Sequence, residues 1–281
     1  MLDNLPTLSE VVKIHGLSAN KKLGQHFLLD MNITHNIAKL ASPLDGVSVA
    51  EIGPGPGGLT RALLLKGADR VLAIEMDDRF IAPLDDIAAQ SDGRLSILHA
   101  DGLKTDIGTH LSGPIKIAAN LHYNIGTKLL IGWLTATPLF WTQAILMFQK
   151  EVAERIVASP QDKAYGRLAI LTQSVCDARI AFEVPARAFS PPPKVDSAVI
   201  VLDPLPEAQR YSDLKLLGQI TEAAFGQRRK MLRRSLRNFA NSRNIDMTDW
   251  FQQAGVIPSA RPETLEVSAF HKLANYIHTK I

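Results

Sequence analysis

The sequence predicts an α/β fold, a parallel sheet covered by helices on both faces, followed by a small all-helical region. Three observations carry this. From about residue 45, short β-rich runs alternate with helical patterns. A glycine-rich turn joins the first run to a helix, and beyond Pro206 strand signals vanish. At 281 residues the chain has room for a large domain and a small one. With 46% hydrophobic and 21% charged residues it can bury a core and is not of disordered type.

The elements follow in chain order. Residues 20–30 form a basic, irregular lead-in able to fold over a ligand site, and 32–40 has helical periodicity. Strands are expected at 47–51, 70–75, 95–99, 115–119 and 142–148, with helices at 59–66, 79–89 and 126–134 between them. A helix at 150–158, a turn at Pro160 and the cluster Pro191-Pro192-Pro193 come next. The runs 213–225, 228–240, 247–254 and 265–277 then read as helices. These runs place a boundary near residue 207, with a Rossmann-like domain over 1–206 and a helical domain over 207–281.

Composition narrows the functional classes. The longest apolar stretches fall far short of the roughly 18 residues a membrane span requires. Residues 1–10 lack the pattern of an export signal, so residence in the cytoplasm is expected. The single Cys176 has no partner for a disulfide or a zinc site and is expected in the core. The eight histidines form no ligand motif, so no metal is expected. Net charge is only +3, yet residues 226–243 hold seven basic residues and no acidic one. Arg228, Arg229, Lys230, Arg233, Arg234 and Arg237 within that run are the candidates for phosphate contact. The run reads as one amphipathic helix, with Leu232, Leu236 and Phe239 on one face and Arg229, Arg233 and Arg237 on another.

The glycine turn, Glu51-Ile52-Gly53-Pro54-Gly55-Pro56-Gly57-Gly58, lets backbone approach a nucleotide where a Cβ would clash. Glu75 ends the second strand 22 residues beyond Gly53, where a carboxylate can accept both ribose hydroxyls. Asp101 follows the third strand and is placed to accept from an adenine amino group. Acids after successive strands describe an adenosine-containing cofactor, leaving open whether it is a nicotinamide dinucleotide or S-adenosylmethionine.

The fourth strand is followed by Asn120-Leu121-His122-Tyr123, which resembles the Asn-Leu-Pro-Tyr motif of methyltransferases acting on adenine amino groups. From Lys21 to about Leu236 the chain resembles the bacterial small-subunit ribosomal RNA adenine N6,N6-dimethyltransferase family. The resemblance rests on Leu23-Gly24-Gln25-His26-Phe27-Leu28, the glycine turn, Glu75, Asp101 and Asn120 to Tyr123. Phe189-Ser190-Pro191-Pro192-Pro193-Lys194-Val195-Asp196-Ser197 and Phe225-Gly226-Gln227-Arg228-Arg229-Lys230 complete it. Two positions depart: His26 stands where the family often has asparagine, and His122 where it has proline.

The resemblance implies that His26, Leu28 and Gly53 line the methionine end of S-adenosylmethionine. It gives the ribose to Glu75, the adenine to Asp101 and the reactive end to Asn120. Asn120, Leu121 and Tyr123 become the catalytic candidates, Tyr123 stacking on the target base and Phe189 covering its other face. The implied substrate is a pair of adjacent adenosines in the 3′-terminal hairpin loop of small-subunit ribosomal RNA, within a partly assembled subunit. A monomer is expected. Three other readings compete. A large-subunit rRNA adenine dimethyltransferase shares the cofactor motifs but not the Pro-Pro-Pro-Lys-Val-Asp-Ser segment. An assembly factor acting chiefly by binding would not need catalysis, and an NAD-dependent dehydrogenase would leave Asn120 to Tyr123 unexplained.

Overall fold

Each strand of the sheet ends where the next stretch of sequence breaks its apolar run. The computed structural model describes residues 2, 5–19, 25–121, 125–227 and 230–280. Helix α1 (Leu8–Ile14) starts at a reciprocal cap, in which Glu10 N–H donates to Thr7 Oγ1 and the Thr7 backbone N–H donates to the Glu10 carboxylate. A two-residue strand β1 (Phe27–Leu28) and helix α2 (Met31–Leu40), capped by Asp30, lead into the main sheet.

The sheet-forming part then runs β2 (Ser48–Ile52), α3 (Gly58–Leu65), β3 (Arg70–Glu75), α4 (Ile81–Ala88), β4 (Leu95–His99), β5 (Ile115–Asn120), α5 (Gly126–Leu134) and β6 (Gln143–Gln149). Helices α6 (Lys150–Val157) and α7 (Arg167–Gln173) precede β7 (Cys176–Val184), β8 (Phe189–Ser190) and β9 (Ser197–Pro204). The seven-stranded sheet has the order β4-β3-β2-β5-β6-β9-β7, while β1 and β8 pair separately as a short antiparallel ribbon. Strands β4, β3, β2, β5 and β6 are mutually parallel, and β9 joins β6 antiparallel. The central β2 is buried along its whole length, as a parallel strand covered on both faces must be. The chain order reverses between β2 and β5, so β2 and β5 flank the switch point where ligands bind in open α/β sheets.

The five strands expected from sequence are all present, and the sheet also contains β7 and β9. The C-terminal helices are α8 (Leu214–Phe225), α9 (Leu232–Ser235), α10 (Arg237–Asn241), α11 (Met247–Ala254) and α12 (Val267–Lys280). The expected single helix over 228–240 is corrected to two short ones. Met231 is extended (ψ 150°), and Leu232 and Arg233 donate their N–H groups to the carbonyls of Ala260 and Pro258. Those contacts, distant in sequence, make the helix start at Leu232 rather than at 228, and a bend at Leu236 (φ −85°, ψ −5°) separates α9 from α10. Leu232, Leu236 and Phe239 are nevertheless buried, and Arg233, Arg234 and Arg237 exposed.

The chain forms two compact units, 1–153 with 179–203 and 154–178 with 204–281. The division is discontinuous where the sequence suggests one cut near residue 207. Residues 154–178 group with the helices because Tyr165 packs edge-on against Phe225 and donates its hydroxyl to the Leu265 carbonyl. Trp250 and Phe270 are fully buried there, and the Trp250 indole N–H donates to the Leu273 carbonyl at 2.8 Å. Cys176 is buried, as expected.

Candidate active site

The candidate site begins at the C-terminal end of β2. Gly53 and Gly55 have φ of +67° and +55°, a left-handed geometry that costs an L-residue roughly 1–2 kcal/mol. That geometry turns the Gly55 N–H onto Glu75 Oε2 at 3.2 Å. Glu75 Oε1 accepts from the N–H groups of Met76 and Asp77, both at 2.9 Å. Burial raises the Glu75 pKa, and the N–H groups of Asp77, Gly55 and Met76 oppose that shift. A carboxylate offers about four acceptor positions. Among the described residues three are filled, which leaves a position on Oε2 for a hydroxyl.

The cavity around this turn is lined by His26, Leu28, Gly53, Glu75 and Asn120. Five of the predicted cofactor residues, drawn from four separate stretches, therefore converge. Asn120 is the last residue of β5, paired with Met147, and Leu121 is buried with its N–H on the Met147 carbonyl. The lead-in reaches the site through β1, where Leu28 pairs with Phe189 and the His26 Nδ1–H donates to the Pro191 carbonyl at 2.7 Å. Gln25 Nε2 donates to Asp77 Oδ2, and Arg79 donates to Gln25 Oε1. Hydrogen bonds from Arg79 and Gln25 hold the Asp77 carboxyl down at about 2.

Leu121, Asp101 and Phe189 stand apart from the cavity lining. Asp101 follows β4, accepts the Leu103 N–H at 2.9 Å and lies 3.9 Å from Lys104 Nζ. Phe189 is only 6% exposed and belongs to the hydrophobic cluster with Phe27 and Leu28. His122, Tyr123, Arg228 and Arg229 lie outside the described residues, as do Leu23 and Gly24. Lys230, Arg233, Arg234 and Arg237 are exposed.

Glu51 is a lining residue to which the sequence reading gave no role. It is 1% exposed, accepts the Thr60 hydroxyl at 2.6 Å, and burial pushes its carboxyl up to about 8. The signal was available: an acid inside an apolar strand is rarely a solvated one. Among the described residues no group of three or more His, Cys, Asp or Glu is arranged to hold a metal, and no helix is long and apolar enough to cross a membrane.

A glycine turn at the switch point, a carboxylate at the end of β3 and an asparagine at the end of β5 define a Rossmann-like methyltransferase. The particular family follows from the comparisons: the chain belongs to the ribosomal RNA adenine dimethylases, whose family model matches residues 16–279. It is 52% identical over 275 residues to the ribosomal RNA small subunit methyltransferase A of Maricaulis maris, covering 97% of this chain and 95% of the relative. The protein of that name in a Ruegeria species is 53% identical, with 97% of both chains covered. Among solved structures, a dimethyladenosine transferase from Plasmodium falciparum matches with a TM-score of 0.77 and 26% identity, covering 91% of this chain and 98% of that one. The 23S rRNA methyltransferase ErmE has the same fold, with a TM-score of 0.67 and 24% identity, covering 90% and 99%.

Proposed function

We propose that this protein transfers methyl groups from S-adenosylmethionine to N6 of two adjacent adenosines in the 3′-terminal hairpin loop of small-subunit ribosomal RNA. The product is N6-dimethyladenosine, formed during ribosome maturation, and the enzyme acts as a cytoplasmic monomer on a partly assembled subunit. The observation that carries the reading is the convergence of Asn120 with Gly53 and Glu75 on one cavity. The relatives named small subunit methyltransferase A favour that subunit over the large one.

The donor set fits the cofactor. Glu75 Oε2 keeps an acceptor position for a ribose hydroxyl, and Gly53 and Gly55 present backbone without a Cβ. Leu28 offers apolar surface and His26 a ring nitrogen at the same cavity. S-adenosylmethionine, when bound, supplies a methyl group already activated by its sulfonium and leaves as S-adenosylhomocysteine.

The task left to the protein is orientation. The adenine N6 lone pair is delocalised into the ring, so the amine is a weak nucleophile. With the Asn120 side-chain oxygen and the Leu121 carbonyl as acceptors for its N–H groups, the nitrogen is drawn toward tetrahedral geometry with its lone pair free to attack. The extra proton departs after the methyl arrives, so no strong base is needed at Asn120. In this reading Tyr123 stacks on the base, Phe189 borders it and Asp101 accepts from the cofactor adenine. Loop bases are already unstacked, which lowers the cost of extrusion.

The test is to incubate the protein and labelled S-adenosylmethionine with small subunits lacking adenine methylation, then to identify the modified nucleosides by mass spectrometry. Dimethyladenosine at adjacent loop positions is expected. Label in large-subunit RNA, or at a different base, would overturn the substrate assignment.

A further inference from the structure

The unit formed by 154–178 and 204–281 contains a groove of about 510 Å³, unrelated to the cofactor cavity. That volume falls in the range of clefts that hold small molecules, about 300–1,000 Å³. Its floor is apolar: Phe251 and Val256 are buried, and Met247 and Pro258 complete it. Its rim is cationic, because Arg233 on α9 and Arg237 on α10 both line it and are exposed. Among the described residues, neither guanidinium has an ion pair or a side-chain hydrogen bond. Thr248 and Gln252, one helical turn apart on α11, add polar atoms at the edge.

Among the described residues no acid lines the groove. Asp246, just ahead of it, caps α11, with Oδ1 accepting the N–H groups of Thr248 and Asp249. An apolar slot with cationic rims and a few hydrogen-bonding atoms matches an unpaired nucleotide. A base has flat faces for apolar or guanidinium contact, polar edges, and an attached phosphate. A purely apolar partner would leave the two guanidiniums unanswered, and a duplex backbone would leave the apolar floor unused.

We propose that this groove seats one unpaired nucleotide of the ribosomal RNA, its base against Met247 and Phe251 and the phosphates on its two sides at Arg233 and Arg237. The proposal rests on the reading that this unit binds RNA. It adds a second point of single-nucleotide recognition, separate from the methylated adenosines.

The experiment measures affinity for unmethylated small subunits against salt concentration, using Thr248→Trp and Gln252→Trp to fill the groove and Arg233→Gln and Arg237→Gln to remove charge. All four positions are exposed, and unchanged thermal melting confirms folding. Filling the groove is expected to weaken binding about tenfold with the salt slope unchanged, as loss of one stacked base does. Each arginine change is expected to lower that slope by about one. Parent-like affinity in both tryptophan variants, with weaker binding in the arginine variants, would sink the nucleotide seat and leave RNA binding intact. Parent-like behaviour in all four would overturn RNA contact on this face as well. Ultraviolet cross-linking of the complex gives a second readout: an RNA adduct on the peptide holding Met247 and Phe251 is expected, and a ribosomal protein cross-linked there instead would overturn the proposal.

Discussion

Glu51 has a carboxyl that cannot ionise freely at neutral pH, since burial pushes it up to about 8 from 4.5. The folded state therefore binds a proton that the unfolded chain has lost, and the sign follows from that difference. Its stabilising contribution is complete below about pH 4.5 and is lost as pH rises through about 8. Glutamine keeps an oxygen for the Thr60 hydroxyl and removes the titration. Glu51→Gln is thus expected to melt near the parent temperature at pH 4.5 and several degrees above it at pH 8. Melting curves followed by circular dichroism at both pH values decide this, and a difference independent of pH would remove Glu51 as a titrating group. Glu75 differs, because three N–H groups point at its carboxylate. Glu75→Gln turns an amide toward donors and is expected to cost about 1–3 kcal/mol of stability. It is also expected to weaken S-adenosylmethionine binding by at least about tenfold, the equivalent of about 1.4 kcal/mol. Isothermal titration would show this, and unchanged affinity would take the ribose away from Glu75.

At the scale of elements, the site is assembled by clamps between segments that are remote in sequence. The β1–β8 ribbon has only two residue pairs, so the His26–Pro191 hydrogen bond is a large part of what holds the lead-in at the cavity. His26→Ala is expected to lose about 0.5–1.5 kcal/mol of stability. Its cofactor Kd should rise several-fold, with kcat at saturating cofactor nearly unchanged. A fall in kcat alone would show His26 acting on the reaction rather than on binding. This scale also explains what the sequence could and could not reveal. The five parallel strands and their helices were legible because each is set by local periodicity and ended by its own turn. Strands β7 and β9 were not, although residues 176–184 alternate and 198–202 are a continuous apolar run, because their place in the sheet is set by pairing with residues far away in the chain, β9 against β6. The 228–240 run misled for the same reason: its apolar and basic faces are real, but bonds to Pro258 and Ala260 fix where α9 begins, and a bend at Leu236 separates it from α10. His26, Leu28, Gly53, Glu75 and Asn120 could be named from motifs because each motif sits at a strand end. Burial of Phe189 and the open position on Glu75 depend on neighbours that spacing does not specify.

For the whole molecule, charge and chemistry occupy different units. The cofactor cavity belongs to the sheet-bearing unit, and Lys230, Arg233, Arg234 and Arg237 belong to the helical one. Cofactor binding should therefore depend little on salt, since Glu75 is buried and faces backbone N–H groups rather than a surface cation. RNA binding should depend on it steeply. If those four side chains each neutralise one phosphate, the logarithm of the affinity falls against log salt with a slope of about −3.6. Raising salt from about 50 to 200 mM would then weaken subunit binding roughly a hundredfold. Parallel titrations of one protein sample, with S-adenosylmethionine and with unmethylated small subunits, should separate these responses. A steep loss for the subunit and a flat response for the cofactor would assign phosphate contact to the helical unit. A flat response for both would mean that the basic run is a solvated face and that RNA is held by other groups.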